Sequence, residues 1–350
     1  MPAPGARAAT IADVAASAGV SPGTASKALN GRGNLRDETV RRVRAAADRL
    51  DYQPNPAARS LKTRSTYTVG MLTTDSIGRF SIPLLSGVEH TLGAGEMSVF
   101  LCDARDDPIR EQYYLQTLLR RRVDGIIVTG RRTDSRPPVG THLPIPVVYA
   151  FIRSADPADC SVVPDERQGV QLAVQHLLDT GRRRLAHITG PRHHYAAVGR
   201  AQATQAAVAQ AGATLVREPH FGEWSEAWGR QAASVLTRSH PDVDAVFCGN
   251  DQIARGVTET LQHGGRRVPD DVAVVGFDNW DAMALGCQPP LTTVDMDLEG
   301  LGRAAARKLL DAINGAPSPG VHQHPCHLVV RETTVRPHLP RADRAERARP

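Results

Sequence analysis

Lysine is nearly missing from this 350-residue chain, with Lys27, Lys62 and Lys308 set against a combined Lys and Arg count of 42. That bias reflects genomic composition and carries no function. Cysteine is scarce too. Cys102, Cys160, Cys248, Cys287 and Cys326 are dispersed, odd in number and nowhere in a CxxC spacing. They argue against a disulfide framework and for reduced thiols. The opening MPAPGARAAT lacks the apolar core of a secretory signal, and no run approaches the ~18 apolar residues of a membrane span. A cytoplasmic location is expected. No phosphate loop of the GxxxxGK type, no HExxH and no GxSxG occurs. No enzymatic chemistry, cofactor or metal is therefore expected.

What is present is ordinary for a folded protein, at 41% hydrophobic and 23% charged residues, with length for two or three domains. The net charge of +5 is unevenly placed: residues 1–66 hold eleven Lys and Arg against five Asp and Glu, and the rest hold 31 against 32. A basic N-terminal segment that is also apolar and periodic has the electrostatic footprint of a DNA-binding unit.

Within it, TIADVAASAGVSPGTASKALN (10–30) reads as two short helices around a turn. Thr10 can cap the first, with Asp13 completing an approximate capping box. Val14, Ala15 and Ala18 share a face, and Gly19 supplies a left-handed stop. Ser21 caps the second helix, with Pro22 at the favoured first position. Ala25, Ala28 and Leu29 face inward, while Ser26, Lys27 and Asn30 are left outside. This is the helix-turn-helix pattern, whose second helix reads bases; a helical hairpin of no special function is the plainer alternative. A third helix is expected over 36–50, with Val40, Val43, Ala47 and Leu50 on one face. NPAARSLKTR (55–64) follows. Asn55 and Pro56 suit a helix start, but the segment is too short to be stable alone. A basic, marginal helix with one large apolar residue, Leu61, fits a segment that folds on DNA and wedges into a minor-groove step. A plain linker is the alternative.

From Tyr67 the pattern alternates. Strands are expected at 68–74, 98–103, 125–130, 146–151, 161–165, 185–190, 245–251 and 272–278. Amphipathic stretches separate them, near 82–95, 108–122, 166–181, 197–212, 225–239, 251–264 and 297–314. Strands buried on both faces and spaced by helices mean an α/β fold, with two doubly wound parallel-sheet lobes rather than one sheet. Ligands of such sheets bind beyond the carboxyl ends of the strands, so the cleft between lobes is the expected small-molecule site.

The order of these parts resembles the lactose/galactose repressor (LacI–GalR) family of bacterial transcription regulators over residues 10–337. IADVAASAGVSPGTASKALNG, RVRAAADRLDYQPNPAARSLKT, CGNDQIARG, VAVVGFDN and PPLTTVDMDLEGLG carry the resemblance. It implies a dimeric repressor with a periplasmic-binding-protein-like core. The expected parts are a disordered lead (1–9), a helix-turn-helix domain (10–53), a hinge (54–66), an effector-binding and dimerisation domain (67–337) and a disordered tail (338–350). Lobe 1 would comprise about 67–164 and 295–324, and lobe 2 about 165–294 and 325–337.

By position, the resemblance assigns Ser21, Thr24 and Ser26 to phosphates and Pro22, Gly23 and Lys27 to base edges. Asn30 would lie near the backbone, and Asn55, Leu61 and Lys62 would belong to the hinge. Pro22 and Gly23 offer almost no side-chain donor, which leaves direct readout to Lys27, a donor without the arginine fork. In the cleft it assigns Arg200 to effector hydroxyls or carboxylates, Asp278 and Asn250 to polar contacts, and Trp224 to a stacking plate. Phe80 matches one of a pair of aromatics whose usual partner position is Ser81. Phe151 and Asp165 are further cleft-facing strand ends. Asp278 and Asn250 could instead cap helices, and Trp224 could belong to the core. The expected partners are pseudo-palindromic operator DNA, a second copy of the chain and a small-molecule effector, with a sugar favoured over a purine or other metabolite. The direction of the effector response, and dimer against tetramer, stay open, although a tail with one leucine favours the dimer. A sugar-binding protein without DNA specificity is the rival from another class. The HxHPCH stretch at 322–327 has metal-ligand residue types, but in no common zinc spacing.

Overall fold

The computed structural model describes residues 9–29, 33–52, 65–95 and 97–336. The chain divides into two compact units, Met1–Tyr67 and Thr68–Pro350.

The first unit holds helices α1 (Ile11–Ala18), α2 (Pro22–Leu29) and α3 (Asp37–Arg49). At the start of α1, Thr10 N–H donates to Asp13 Oδ2 (2.8 Å) and Asp13 N–H to Thr10 Oγ1 (3.4 Å), a reciprocal capping box. Gly19 takes φ +62°. That turn lets Gly19 N–H reach Ala16 O at 3.2 Å and Val20 N–H reach Ala15 O at 3.0 Å, so the last carbonyls of α1 are satisfied. Val14, Ala15, Ala18, Ala25, Ala28, Val43, Ala46 and Ala47 form the core; small side chains let the helices approach closely. The expected face of α3 needs one correction. Leu50 caps the helix and is exposed, and Ala46 takes the buried place. The chain leaves helical geometry at Leu50, and Tyr52 packs against the core instead. Residues 54–64 of the hinge segment, with Asn55, Leu61 and Lys62, together with Asn30, the lead up to residue 8 and the tail, lie outside the described residues.

In the second unit, strands are numbered along the chain. β1 (Thr68–Thr73), β2 (Ser98–Asp103), β3 (Gly125–Thr129), β5 (Val147–Ala150), β7 (Cys160–Pro164) and β14 (Gly320–His324) form an all-parallel sheet in the order β14-β7-β5-β3-β1-β2. β4 (Ser135–Arg136) and β6 (Arg153–Ser154) make a small ribbon beside it. The second sheet contains β8 (Arg184–Thr189), β9 (Thr214–Leu215), β10 (His220–Phe221), β11 (Ala245–Cys248), β12 (Ala273–Phe277), β13 (Thr292–Asp295) and β15 (His327–Val329). Its order is β10-β8-β11-β12-β13-β15, with β9 also on β8, and β15 is antiparallel to β13. The helices are α4 (Ser81–Gly93), α5 (Pro108–Arg120), α6 (Glu166–Asp179), α7 (Tyr195–Gln210), α8 (Glu226–Ser239), α9 (Asp251–His263), α10 (Asp281–Ala284) and α11 (Leu298–Ile313). Among the described residues no helix is long and apolar enough to cross a membrane.

All eight expected strands are present, as two doubly wound lobes. Beyond the expected eight lie the two-residue strands β4, β6, β9 and β10 and the longer β13, β14 and β15. β13 is Thr-rich although Thr292 and Thr293 are fully buried, and β14 is a polar edge strand with alternating exposure. Burial on both faces fails for β2. Its position at the sheet edge leaves Phe100 and Leu101 exposed.

The same strand order occurs twice, as β2-β1-β3-β5-β7 and β10-β8-β11-β12-β13. Each sheet therefore has a switch point beside its first strand, where neighbouring crossovers run to opposite faces and leave a crevice. The chain passes between lobes three times, after β7, after β13 and between β14 and β15. These passages are tied together. Asp165 N–H donates to His324 O (2.7 Å), Gln168 and Cys326 exchange two hydrogen bonds (3.2 and 2.8 Å), and His324 Nε2 lies 3.0 Å from Asp297 Oδ2.

Candidate recognition helix and effector cavity

In α2, Pro22 with Ser26 and Gly23 with Lys27 are spaced i,i+4, so the four share one face. Pro22, Gly23 and Lys27 are exposed and Ser26 is half-buried, opposite the buried Ala25 and Ala28. Ser21 Oγ accepts from Thr24 N–H (3.2 Å) and lies 2.9 Å from Thr24 Oγ1. Both hydroxyls thus sit at the N-terminus of α2, where backbone N–H groups favour anions. All six described residues assigned to DNA lie at the start of α2 or along its outer side.

In the second unit, the loops leaving the carboxyl ends of both sheets enclose a cavity of about 120 Å³. Phe80, Phe151, Arg200, Trp224, Asn250 and Asp278 line it, joined by Arg79, Arg131, Arg132, Thr133, Asp134, Glu166, His194 and Ala196. β1, β3 and β5 present Arg79–Phe80, Arg131–Asp134 and Phe151; β8, β11 and β12 present His194, Asn250 and Asp278.

Arg200 projects from α7 and is 4% exposed. It donates through Nη1 to Gly249 O and through Nη2 to Glu166 Oε1 (2.6 Å). Its guanidinium lies 3.6 Å from the Phe277 ring centroid and 3.9 Å from Asp278 Oδ1. Asp278 is paired with Arg79, which reaches over from lobe 1. Burial pushes the Asp278 carboxyl above its ordinary pKa, while the two guanidiniums oppose that shift. Asn250 Oδ1 caps α9 by accepting from Ile253 N–H (2.8 Å), so it serves the helix as well as the wall. Trp224 does two things as well. It packs on the lobe 2 core and faces the cavity, and its Nε1–H donates to His194 Nδ1 (2.7 Å). Phe80 finds its aromatic partner in Phe151, stacked at 4.8 Å and 21°, rather than at the neighbouring Ser81.

Asp165 is misplaced as a cavity residue. Its carboxylate folds back to cap α6, accepting from Gln168 N–H (3.0 Å), and the next residue, Glu166, enters the wall instead. An acidic residue at a strand-to-helix turn is drawn to the helix's first N–H groups. Sequence reasoning also missed Arg79, Arg131, Arg132, Thr133 and Asp134. Arg79 is adjacent to Phe80, and that adjacency was the available signal. The 131–134 loop enters only because β3 ends at the switch point.

Beneath the cavity, His187 on β8 is fully buried. It stacks on Phe247 (4.9 Å, 16°), with Nδ1 2.9 Å from Phe247 O. Burial lowers its pKa to about 4, and Arg200 pushes the same way. The folded chain refuses a proton that the unfolded chain accepts below about pH 6.5. Stability is present above that pH and is lost as the pH falls toward 4, by roughly 3 kcal/mol over the span. Melting at pH 7.5 and 5.0 checks this. His187→Gln is expected to lose less stability on acidification than the wild type; equal losses would assign the acid sensitivity elsewhere.

Comparison with known proteins covers both units of the chain. Residues 10–55 match the profile of bacterial regulatory proteins of the lacI family, and residues 174–334 that of the periplasmic binding protein-like domain. The HTH-type transcriptional repressor PurR of Mannheimia succiniciproducens is 32% identical over 330 residues, covering 93% of this chain and 98% of that protein. Among solved structures, a complex of the transcriptional regulator CelR with cellobiose is 31% identical, with a TM-score of 0.65 over 93% of this chain and 99% of its own. A lac repressor dimer bound to operator and the anti-inducer ONPF is 25% identical, with a TM-score of 0.73 over 94% and 100%.

Proposed function

Since the chain belongs to the lacI family of bacterial regulatory proteins, we propose that it is a homodimeric repressor whose hold on operator DNA is switched by a sugar bound between its lobes. The observation that carries this reading is the cavity at both switch points, walled by guanidinium and carboxylate groups and by Phe80, Phe151 and Trp224. Polar groups of both kinds suit hydroxyls, and an aromatic face suits the C–H side of a sugar ring. Phe80 and Phe151 already stack on each other, which disfavours a flat base lodged between them. The relative solved in complex with cellobiose supports the same class. A ligand touching both lobes binds their closed and open arrangements differently, which is the condition for a switch. The exposed Phe100 and Leu101 on edge strand β2 support the dimer, because an apolar strand edge calls for a partner.

Two copies of α2 would read the two halves of an inverted repeat, with the Leu61 segments at its centre. Selection from random duplexes tests this. The wild type is expected to enrich an inverted repeat. Lys27→Ala is expected to retain salt-dependent non-specific binding and to lose roughly 10–100-fold discrimination at one position per half-site. Enrichment of an unchanged sequence by Lys27→Ala would mean that α2 does not read bases as assigned.

A further inference from the structure

Resting on the sugar reading above, we propose that Arg79 makes the cavity selective for an acidic sugar, an aldonic or uronic acid, whose carboxylate is held by guanidiniums from both lobes.

The first observation is that the wall's carboxylates are already engaged. Asp278 has Arg79 on Oδ2 and Arg200 3.9 Å from Oδ1. Glu166 accepts from Arg200 at 2.6 Å. Asp134 accepts from Tyr195 N–H at 2.8 Å and pairs with Arg132 at 2.9 Å. A sugar hydroxyl needs an acceptor for its hydrogen, and here the strongest acceptors are occupied by the protein's own cations.

The second is that Arg79 is held in place. Its guanidinium lies between the rings of Phe80 (4.7 Å) and Trp280 (4.4 Å), and Nη1 donates to Gln252 Oε1 (3.3 Å). Trp280 is itself fixed, its N–H donating to buried Asp251 (2.7 Å). A neutral hydroxyl exchanges poorly for a sandwiched guanidinium on a buried carboxylate.

The third concerns what the wall lacks. Among the described residues that line it, Arg79 Nε, Arg200 Nε and Thr133 Oγ1 are buried without a hydrogen-bond partner. Arginine N–H groups only donate, so two of these three atoms can be satisfied only by an acceptor. A carboxylate supplies acceptors alone and matches the guanidinium fork. The lining groups Arg79, Arg131, Arg132 and Arg200 face Asp134, Glu166 and Asp278, and Arg131 is paired outside the lining with Asp106 at 3.1 Å, so formal charge is balanced and the case rests on the unpartnered donors. Arg79 belongs to lobe 1 and Arg200 to lobe 2, so one carboxylate between them would join the lobes.

The test is a thermal-shift and calorimetric series on the full chain. It uses matched neutral and acidic sugars (glucose, gluconate and glucuronate; galactose and galacturonate) together with hypoxanthine and guanine. At least one acid is expected to stabilise the protein where its neutral twin at equal concentration does not. Arg79→Gln is expected to weaken that acid at least 10-fold, and Arg79→Lys, which keeps the charge without the fork, to weaken it less. Melting of both variants without ligand verifies folding. Binding of a neutral sugar with affinity unchanged or improved in Arg79→Gln would overturn the inference and leave the sugar-responsive regulator standing. Stabilisation by the purines alone would overturn both.

Discussion

Arg200→Ala is expected to abolish the effector response while leaving operator binding intact. Two of the five guanidinium N–H groups are committed to Gly249 O and Glu166, and on the proposed reading the remainder would hold the ligand. Losing two charge-assisted hydrogen bonds weakens binding by roughly 100-fold or more. The substitution also leaves Glu166 without its buried partner, and breaking such a pair costs about 3–5 kcal/mol. The second unit is therefore expected to melt at a lower temperature. The helices α1–α3 have a core of their own, so the DNA-binding unit is expected to stay folded. Calorimetric titration with an effector of the wild type, read beside operator titration, separates the two. Unchanged effector affinity in a folded Arg200→Ala variant would remove the cavity from the switch.

The largest loss of stability is expected from a single methyl group where helices touch. In lobe 1, α4 crosses α11 so closely that a Cβ on Gly87 would lie 1.9 Å from Glu299 O, and one on Gly302 would lie 2.1 Å from Leu84 O. Lobe 2 repeats the device in α8 and α9, where a Cβ on Gly229 would meet Ile253 O at 2.3 Å and one on Gly256 would meet Glu226 O at 2.2 Å. Backbone oxygens inside helices cannot rotate away, so the two helices would have to separate. Gly302→Ala is expected to cost about 3 kcal/mol or more, at or above the upper end for overpacking. That lowers Tm by roughly 10 °C for the transition that includes lobe 1. Gly93→Ala is the matched control. Gly93 ends the same α4 and has nothing within 4 Å of the added carbon, so a small gain of about 0.5–1 kcal/mol is expected. Equal melting of Gly302→Ala and the wild type would mean that the two helices are not held in contact in solution.

Much of this architecture was legible in the chain because local rules and global fold agree. Thr10, Asp13, Gly19, Ser21 and Pro22 are each the residue that a helix start or stop asks for, and α1 and α2 begin and end where they stand. Strands such as Gly125–Thr129 and Ala273–Phe277 are continuous apolar runs because they are covered on both faces. The failures have physical causes. β2 is apolar yet exposed, because exposure depends on its place at the sheet edge rather than on composition. β14 and β15 are not among the expected strands, because a short edge strand requires only backbone partners and need carry no apolar run. Asp165 and Glu166 are both acidic, and which one caps the helix and which enters the cavity depends on the turn geometry.

The sequence by itself therefore determined the helix-turn-helix and the alternating α/β elements, since each depends on neighbours within a few positions, while six of the residues around the cavity came from the family resemblance. Which groups pair inside that cavity only the tertiary structure decided. Arg79 meets Asp278 across 199 positions of chain. Phe80 finds Phe151 instead of its neighbour, and the 131–134 loop becomes a wall because β3 lies beside β1 at the switch point. Pairing at such separation follows from the order of strands in a sheet, which hydrophobic periodicity does not encode.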